Sequence, residues 1–197
     1  MNNFLDERYL EKEYVYGKDA NVFLKTELDN ISVGRILFPC EGEGRNAVYA
    51  AQKGWVVDAF DTSIEGFKKA NDLAKEKRVS ISYKVADALT VDYPRESFDA
   101  VALIYSHFPD TIREQVHHKI ITWLKPNGVL ILEAFNPNQL NNTSGGPKDL
   151  SLLYTEEMLV KDFKSLTTLQ FSTEVISLNE GKYHQGKADV IRLVGKK

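Results

Sequence analysis

The chain holds a single cysteine, Cys40, so no disulfide can form within it. A lone thiol fits a reducing compartment, and the expectation is a cytoplasmic protein. Nowhere does an apolar run approach the roughly 20 residues that a membrane-spanning helix needs. The start, Met1-Asn2-Asn3-Phe4-Leu5-Asp6-Glu7-Arg8, lacks the basic-then-apolar layout of a secretory signal. Clusters of five or more basic residues are also missing and the net charge is −3, so neither nucleic acid nor an anionic membrane is an expected partner. No short His, Cys and Asp spacing marks a metal site, and no segment repeats. What is present is ordinary globular material: 197 residues, 43% hydrophobic and 27% charged, enough for one domain over 1–197.

The stretch from Ile36 to Ala47 carries the most information. Ile36-Leu37-Phe38-Pro39 reads as a buried strand that runs through Cys40-Glu41-Gly42-Glu43-Gly44 into a helix beginning at Arg45. The spacing Gly42-x-Gly44-x-x-Ala47 is the glycine fingerprint of nucleotide-type cofactor sites in doubly wound α/β folds. Trp55 to Asp61 is a second apolar run ending in a carboxylate. Asp61 lies 19 residues beyond Gly42, close to the roughly 20-residue spacing that sets an acid on ribose hydroxyls. Glu41 and Glu43 flank Gly42, with Arg45 alone to offset them. A pyrophosphate seeks backbone N–H groups in a positive field, and these carboxylates repel it. A ribonucleoside carrying a sulfonium and an ammonium, such as S-adenosylmethionine, suits the same loop.

The rest of the chain alternates strands with helices. A short helix over 21–28 precedes the first strand, within an aromatic and acidic segment 1–30 that either packs on the sheet or covers the cofactor. Gly54 closes the helix from Arg45, and Ser63 caps the next, with Ile64, Phe67, Ala70, Leu73 and Ala74 inward and Lys68 and Lys69 among solvated charges. Strands follow at Ser80–Val85, Phe98–Tyr105 and Val129–Phe135, with a helix capped by Asp110 between the last two. This pattern implies a parallel sheet with right-handed crossovers. Residues 136–154 are polar and glycine-bearing, and read as a lid or acceptor loop, or as a surface loop. Thr155 caps a helix, and Leu169–Leu178 and Ala188–Val194 form an antiparallel hairpin, where a dinucleotide fold needs another helix and strand.

These residues resemble the class I S-adenosylmethionine-dependent methyltransferases, and the resemblance covers nearly the whole chain. It is nearest to small bacterial proteins grouped with the tellurite-resistance and thiopurine methyltransferases. The resemblance implies a Rossmann-like three-layer α/β sandwich, with a seven-stranded, mostly parallel sheet ending in the antiparallel hairpin. Glu41-Gly42-Glu43-Gly44-Arg45-Asn46-Ala47-Val48 is similar to the family's first motif, which implicates Pro39, Glu41, Gly42, Glu43, Gly44 and Asn46 at the cofactor. Asp61, followed by Thr62, matches the acid on the ribose, and Asp87-Ala88 the pair that meets the adenine. Tyr16 to Leu24, including Asn21, is similar to the segment covering the cofactor, and Tyr105 ends the fourth strand beside it. Two departures stand out. Val129 follows Leu124-Lys125-Pro126-Asn127-Gly128 where many members have glycine or another small residue. Phe38 and Cys40 replace an acid and a glycine, so Glu41 is the expected substitute contact for the methionine ammonium.

The implied chemistry is in-line methyl transfer to a small-molecule acceptor: a thiol, oxyanion, amine or hydroxyl. A base is required only where the acceptor's nucleophile is protonated. His107, directly after the fourth strand, and His184, in the hairpin turn, are the candidate catalytic residues. Tyr105 and Ser106 shape the pocket, while His117 and His118 read as surface or interface residues. The assembly expected is a monomer or homodimer. A non-catalytic S-adenosylmethionine-binding protein and a nicotinamide-dependent oxidoreductase are the competing readings.

Overall fold

The computed structural model describes residues 3–197. Its centre is one seven-stranded sheet in the order β3-β2-β1-β4-β5-β7-β6. The strands are β1 (Arg35–Pro39), β2 (Val56–Asp61), β3 (Ser82–Val85), β4 (Phe98–Ile104), β5 (Leu124–Phe135), β6 (Thr168–Asn179) and β7 (Gln185–Lys196). The first five pair in parallel, and β7 runs antiparallel to both β5 and β6. The expected fold class is therefore what the chain adopts, with hairpin strands longer than the apolar runs alone outline.

Side-chain parity explains the layers. Leu37, Val101, Leu103, Leu130 and Leu132 face one side with Val116, Ile120, Leu159 and Phe163. Ile36, Phe38, Ala100, Ala102 and Ile131 face the other with Leu24, Leu28, Ala47 and Ala50. Successive residues of β1, β4 and β5 are thus apolar on both faces, as a parallel strand covered by helices requires. The covering helices are α2 (Val22–Asp29), α3 (Arg45–Gln52), α4 (Ile64–Glu76), α5 (Asp110–Trp123) and α6 (Glu156–Asp162), while α1 (Asn3–Tyr9) packs on α4.

Local signals set the helix ends. Ser63 accepts the Gly66 N–H at 3.0 Å and Thr155 the Met158 N–H at 3.3 Å, each a side-chain cap as expected. Asp110 is instead the first residue of α5, with Pro109 at the cap position. There its carboxylate complements the helix dipole rather than capping a donor. Ile64, expected inward, is 53% exposed in the first turn of α4.

Residues 136–154 are folded down rather than extended. Two 3-10 turns, Pro137–Asn141 and Leu150–Leu152, lie within them. Buried Gln139 accepts the Asp189 N–H at 2.8 Å, and the Tyr154 N–H reaches the Phe135 carbonyl at 3.1 Å. These bonds dock the loop against β7 and the end of β5.

Candidate active site

A cavity of about 540 Å³ opens over the carboxyl ends of β1, β2 and β4, a size typical of small-molecule sites. Strand order reverses between β1 and β4, the topological switch point where open α/β sheets bind ligands. Its floor is Cys40, Glu41, Asp61, Thr62 and Ile104 to His107. Leu5, Arg8, Tyr9 and Tyr16 close it from the N-terminal side; Gly146 to Lys148, Leu152 and His184 close it from the C-terminal side.

The glycine loop is shaped by three left-handed residues, Cys40, Gly42 and Gly44, with φ of 55°, 61° and 86°. A Cβ on Gly42 would stand 2.5 Å from the Tyr9 hydroxyl, and one on Gly44 2.5 Å from the Ala70 Cβ. Gly42 thereby lets α1 close onto the loop, and Gly44 lets α3 touch α4. Glu41 folds back so that one carboxylate oxygen accepts the N–H groups of Asn46 and Ala47 at 2.8 and 2.7 Å. Those are donors of the first turn of α3, where a phosphate would otherwise bind. Burial raises the Glu41 pKa to about 7 against the pull of those N–H groups and Arg45. Though deep, the carboxyl keeps part of its surface on the cavity.

The other loop charges are matched inside the protein. Glu43 accepts the N–H groups of Val15 and Tyr16 at 3.2 and 3.3 Å and pairs with Lys69 at 2.7 Å. Lys69, expected on the solvated face of α4, instead neutralises this acid. Asp61 accepts the N–H groups of Gly42 and Ser63 at 3.0 and 2.9 Å. Burial nevertheless raises its pKa, outweighing those bonds.

The opposite end is aromatic. Tyr105 stacks on Phe135 with centroids 4.7 Å apart, and His184 meets both rings edge-on at 4.9 and 5.5 Å. Tyr16 leans on His184 at 4.6 Å. Among the described residues the buried Tyr105 hydroxyl finds no hydrogen-bond partner of good geometry. Burial first, then nearby Glu133 and Glu180, push its pKa well up.

The two candidate histidines differ sharply. His107 lies with Nδ1 2.6 Å from the Leu152 carbonyl, which makes Nδ1 the protonated nitrogen, and its Nε2 accepts the Phe135 N–H at 3.3 Å. Burial lowers its pKa to about 4. Both nitrogens serve the backbone, so the expected base has no spare lone pair in this arrangement. His184 has Nδ1 3.2 Å from Glu180 Oε2, and the same oxygen receives Arg45 Nη2 at 2.9 Å.

Several other expected residues stand behind the cavity rather than on it. Asn21 caps α2 and donates to Glu133 at 2.6 Å, while its backbone N–H reaches Asn46 Oδ1 at 3.0 Å. The Pro39 carbonyl accepts the Ser106 hydroxyl at 3.0 Å. Asp87 is exposed and bonds the Leu89 N–H, and Ala88 belongs to the core; neither lines the cavity. His117, expected at the surface or in an interface, is fully buried with Nδ1 2.8 Å from Asp162, which Arg113 also grips at 2.7 Å. His118 is exposed, as expected. Sequence singled out neither Glu180 nor Phe135 and read Lys69 as solvated charge; the Glu180-x-x-x-His184 spacing is the one signal that could have found the first.

Residues 36–128 match the model of a family described as a methyltransferase domain. No curated protein matches the chain in sequence. Among solved structures, an S-adenosylmethionine-dependent methyltransferase from Methanosarcina mazei is 18% identical, with TM-score 0.73 over 91% of this chain and 98% of that one. TehB from Haemophilus influenzae is 14% identical, with TM-score 0.71 over 99% of this chain and 66% of that one. Phosphoethanolamine N-methyltransferase 2 from Haemonchus contortus, solved with phosphomonomethylethanolamine and S-adenosylhomocysteine, is 16% identical, with TM-score 0.70 over 98% and 56%. At such identities the likeness is one of fold. Residues 36–128 thus match a methyltransferase domain, and the fold of the whole chain is the one these S-adenosylmethionine-dependent methyltransferases share. The descriptions of two of these structures name S-adenosylmethionine or S-adenosylhomocysteine. Among the described residues no helix is long and apolar enough to cross a membrane.

Proposed function

We propose that this chain transfers the methyl group of S-adenosylmethionine to a small-molecule acceptor by in-line displacement. The observation that carries the reading is Glu41, whose carboxylate fills the N-terminus of α3. A phosphate-bearing nicotinamide cofactor would have to displace that anion, whereas a cationic donor gains from it. When bound, S-adenosylmethionine supplies an electrophilic methyl on a sulfonium.

The residues suit that molecule. Glu41 takes the methionine ammonium, in place of the acid that Phe38 replaces. Asp61, fixed by two backbone N–H groups, keeps lone pairs for ribose hydroxyls, with Thr62 beside it. Tyr16 and the segment before it, held to the loop through Glu43, cover the donor and exclude water. The acceptor enters at the Tyr105–Phe135 end, walled by residues 146–148 and Leu152. Holding nucleophile, methyl and sulfur in line is the main contribution, worth roughly 7–11 kcal/mol where geometry is good.

Calorimetry with S-adenosylhomocysteine and with NAD(H) tests the donor. Binding of the first and not the second is expected; the reverse overturns the reading. An acceptor panel of thiols, selenite, tellurite, amines and phenols, followed by S-adenosylhomocysteine release, then tests transfer against mere binding.

A further inference from the structure

We infer that His184 is the general base of this site, oriented by Glu180 and Arg45, and that the acceptor is a planar molecule bearing a protonated hydroxyl. The inference rests on the donor reading above and assigns the opposite end of the same cavity. Three observations support it. The imidazole is only 5% exposed, yet it lines the cavity. Its Nδ1 is engaged by Glu180 at 3.2 Å, which fixes the proton on that nitrogen and leaves the Nε2 lone pair without a protein partner among the described residues. Glu180 is itself held by Arg45 at 2.9 Å, and Arg45 also donates to the Tyr16 and Asp19 carbonyls at 3.2 and 3.3 Å. The order is that of a base oriented by a carboxylate, with the carboxylate clamped in turn.

The charged and titratable neighbours come from every side. Glu180 on the hairpin favours a charged ring, whereas Arg45 from α3 and Arg8 from α1 oppose it; Tyr16, Tyr105 and His107 complete the surroundings. Burial dominates and holds the ring below its ordinary pKa, so it is neutral near pH 7 and ready to accept a proton. During transfer the acceptor's hydroxyl oxygen forms its bond to the methyl carbon as its proton passes to His184 Nε2. The electron pair of the breaking carbon–sulfur bond remains on sulfur. Glu180 stabilises the imidazolium, which later yields its proton to solvent.

The acceptor's shape follows from the walls. Tyr105 and Phe135 stack with an 18° interplanar angle, and His107 continues nearly parallel to Phe135 at 11°. Such a ribbon of parallel rings favours a flat partner. Glu180 and Arg45 act through His184 and are positioning residues.

The test pairs two probes, 4-methylphenol and thiophenol, with nitrogen NMR of the full chain loaded with S-adenosylhomocysteine. His184→Gln should lower methylation of the phenol by roughly 10²–10⁴-fold, while thiophenol, already ionised at pH 8, loses less than about fivefold. Glu180→Gln should shift the acid limb of the phenol pH profile without changing S-adenosylhomocysteine affinity. NMR should find His184 neutral at pH 8 with Nδ1 protonated and Nε2 bare. This decides the matter even where neither probe turns over. Equal losses on both probes, or a proton on Nε2, overturn the assignment of His184 alone. Failure of S-adenosylhomocysteine to bind overturns the donor reading, and this one with it.

Discussion

Binding of a cationic donor should expel a proton from Glu41. The carboxyl has a pKa of about 7 in the free protein, so close to half the molecules carry that proton at pH 7. An ammonium arriving within about 4–6 Å favours the carboxylate. If it lowers the pKa by even one unit, the protonated fraction falls from about a half to about a tenth, and about 0.4 proton leaves per site. Titrating S-adenosylhomocysteine at pH 7 in two buffers of different ionisation enthalpy reads this number directly. Proton and ligand compete, so affinity should weaken as pH falls from 8 to 6. Glu41→Gln should remove that part of the buffer dependence and weaken binding about 10- to 100-fold, roughly 1.4–2.8 kcal/mol. Comparing the two proteins cancels protons taken up by the ligand's own amine. Identical buffer slopes in wild type and E41Q, or an affinity flat from pH 6 to 8, would refute the reasoning.

Other perturbations separate structural from chemical roles. His107→Ala leaves the Leu152 carbonyl and the Phe135 N–H unpaired, and should cost about 1–3 kcal/mol per group in urea unfolding without moving the pH profile of transfer. Because the folded pKa of His107 is depressed to about 4, its contribution is fully present above the ordinary 6.5 and is lost as pH falls towards 4; acid titration of wild type against H107A reads the difference. Asp162→Asn leaves buried Arg113 without its anion, and should cost about 3–5 kcal/mol while S-adenosylhomocysteine affinity holds. Gly44→Ala meets both a left-handed φ of 86° and the Ala70 Cβ at 2.5 Å. A loss of about 1–3 kcal/mol is expected, and adding Ala70→Gly should recover only part of it, because the Ala70 Cα stays 2.8 Å away and the left-handed φ remains.

Residues 36–61 were legible because their signals are local. A strand, a glycine bend and an acid at fixed spacing need no distant partner to be understood. Strand parity was equally plain, since Leu37 against Phe38 or Val101 against Ala102 differ only in the face they serve. What stayed hidden were pairings made across the fold. Helical periodicity puts Lys69 on the outer face of α4, but the segment around Tyr14 and Val15 crosses that face and turns it into the counter-ion of Glu43. His117 shares its helix with Arg113, and only the docking of α6 brings Asp162 to both. His107 was placed correctly at the end of β4, yet its partners come from residues 135 and 152, so position alone could not tell a base from a strut.

The mouth of the cavity is fastened by opposite ends of the chain. Lys182 reaches Glu11 at 2.8 Å, the Tyr183 hydroxyl donates to the same carboxylate, and a Cβ on Gly181 would strike the backbone of Gly17 and Val15. Without β6 and β7 the glycine bend keeps its N-terminal cover but loses His184 and the Lys182–Glu11 clasp, so its grip on a bound nucleoside should slacken.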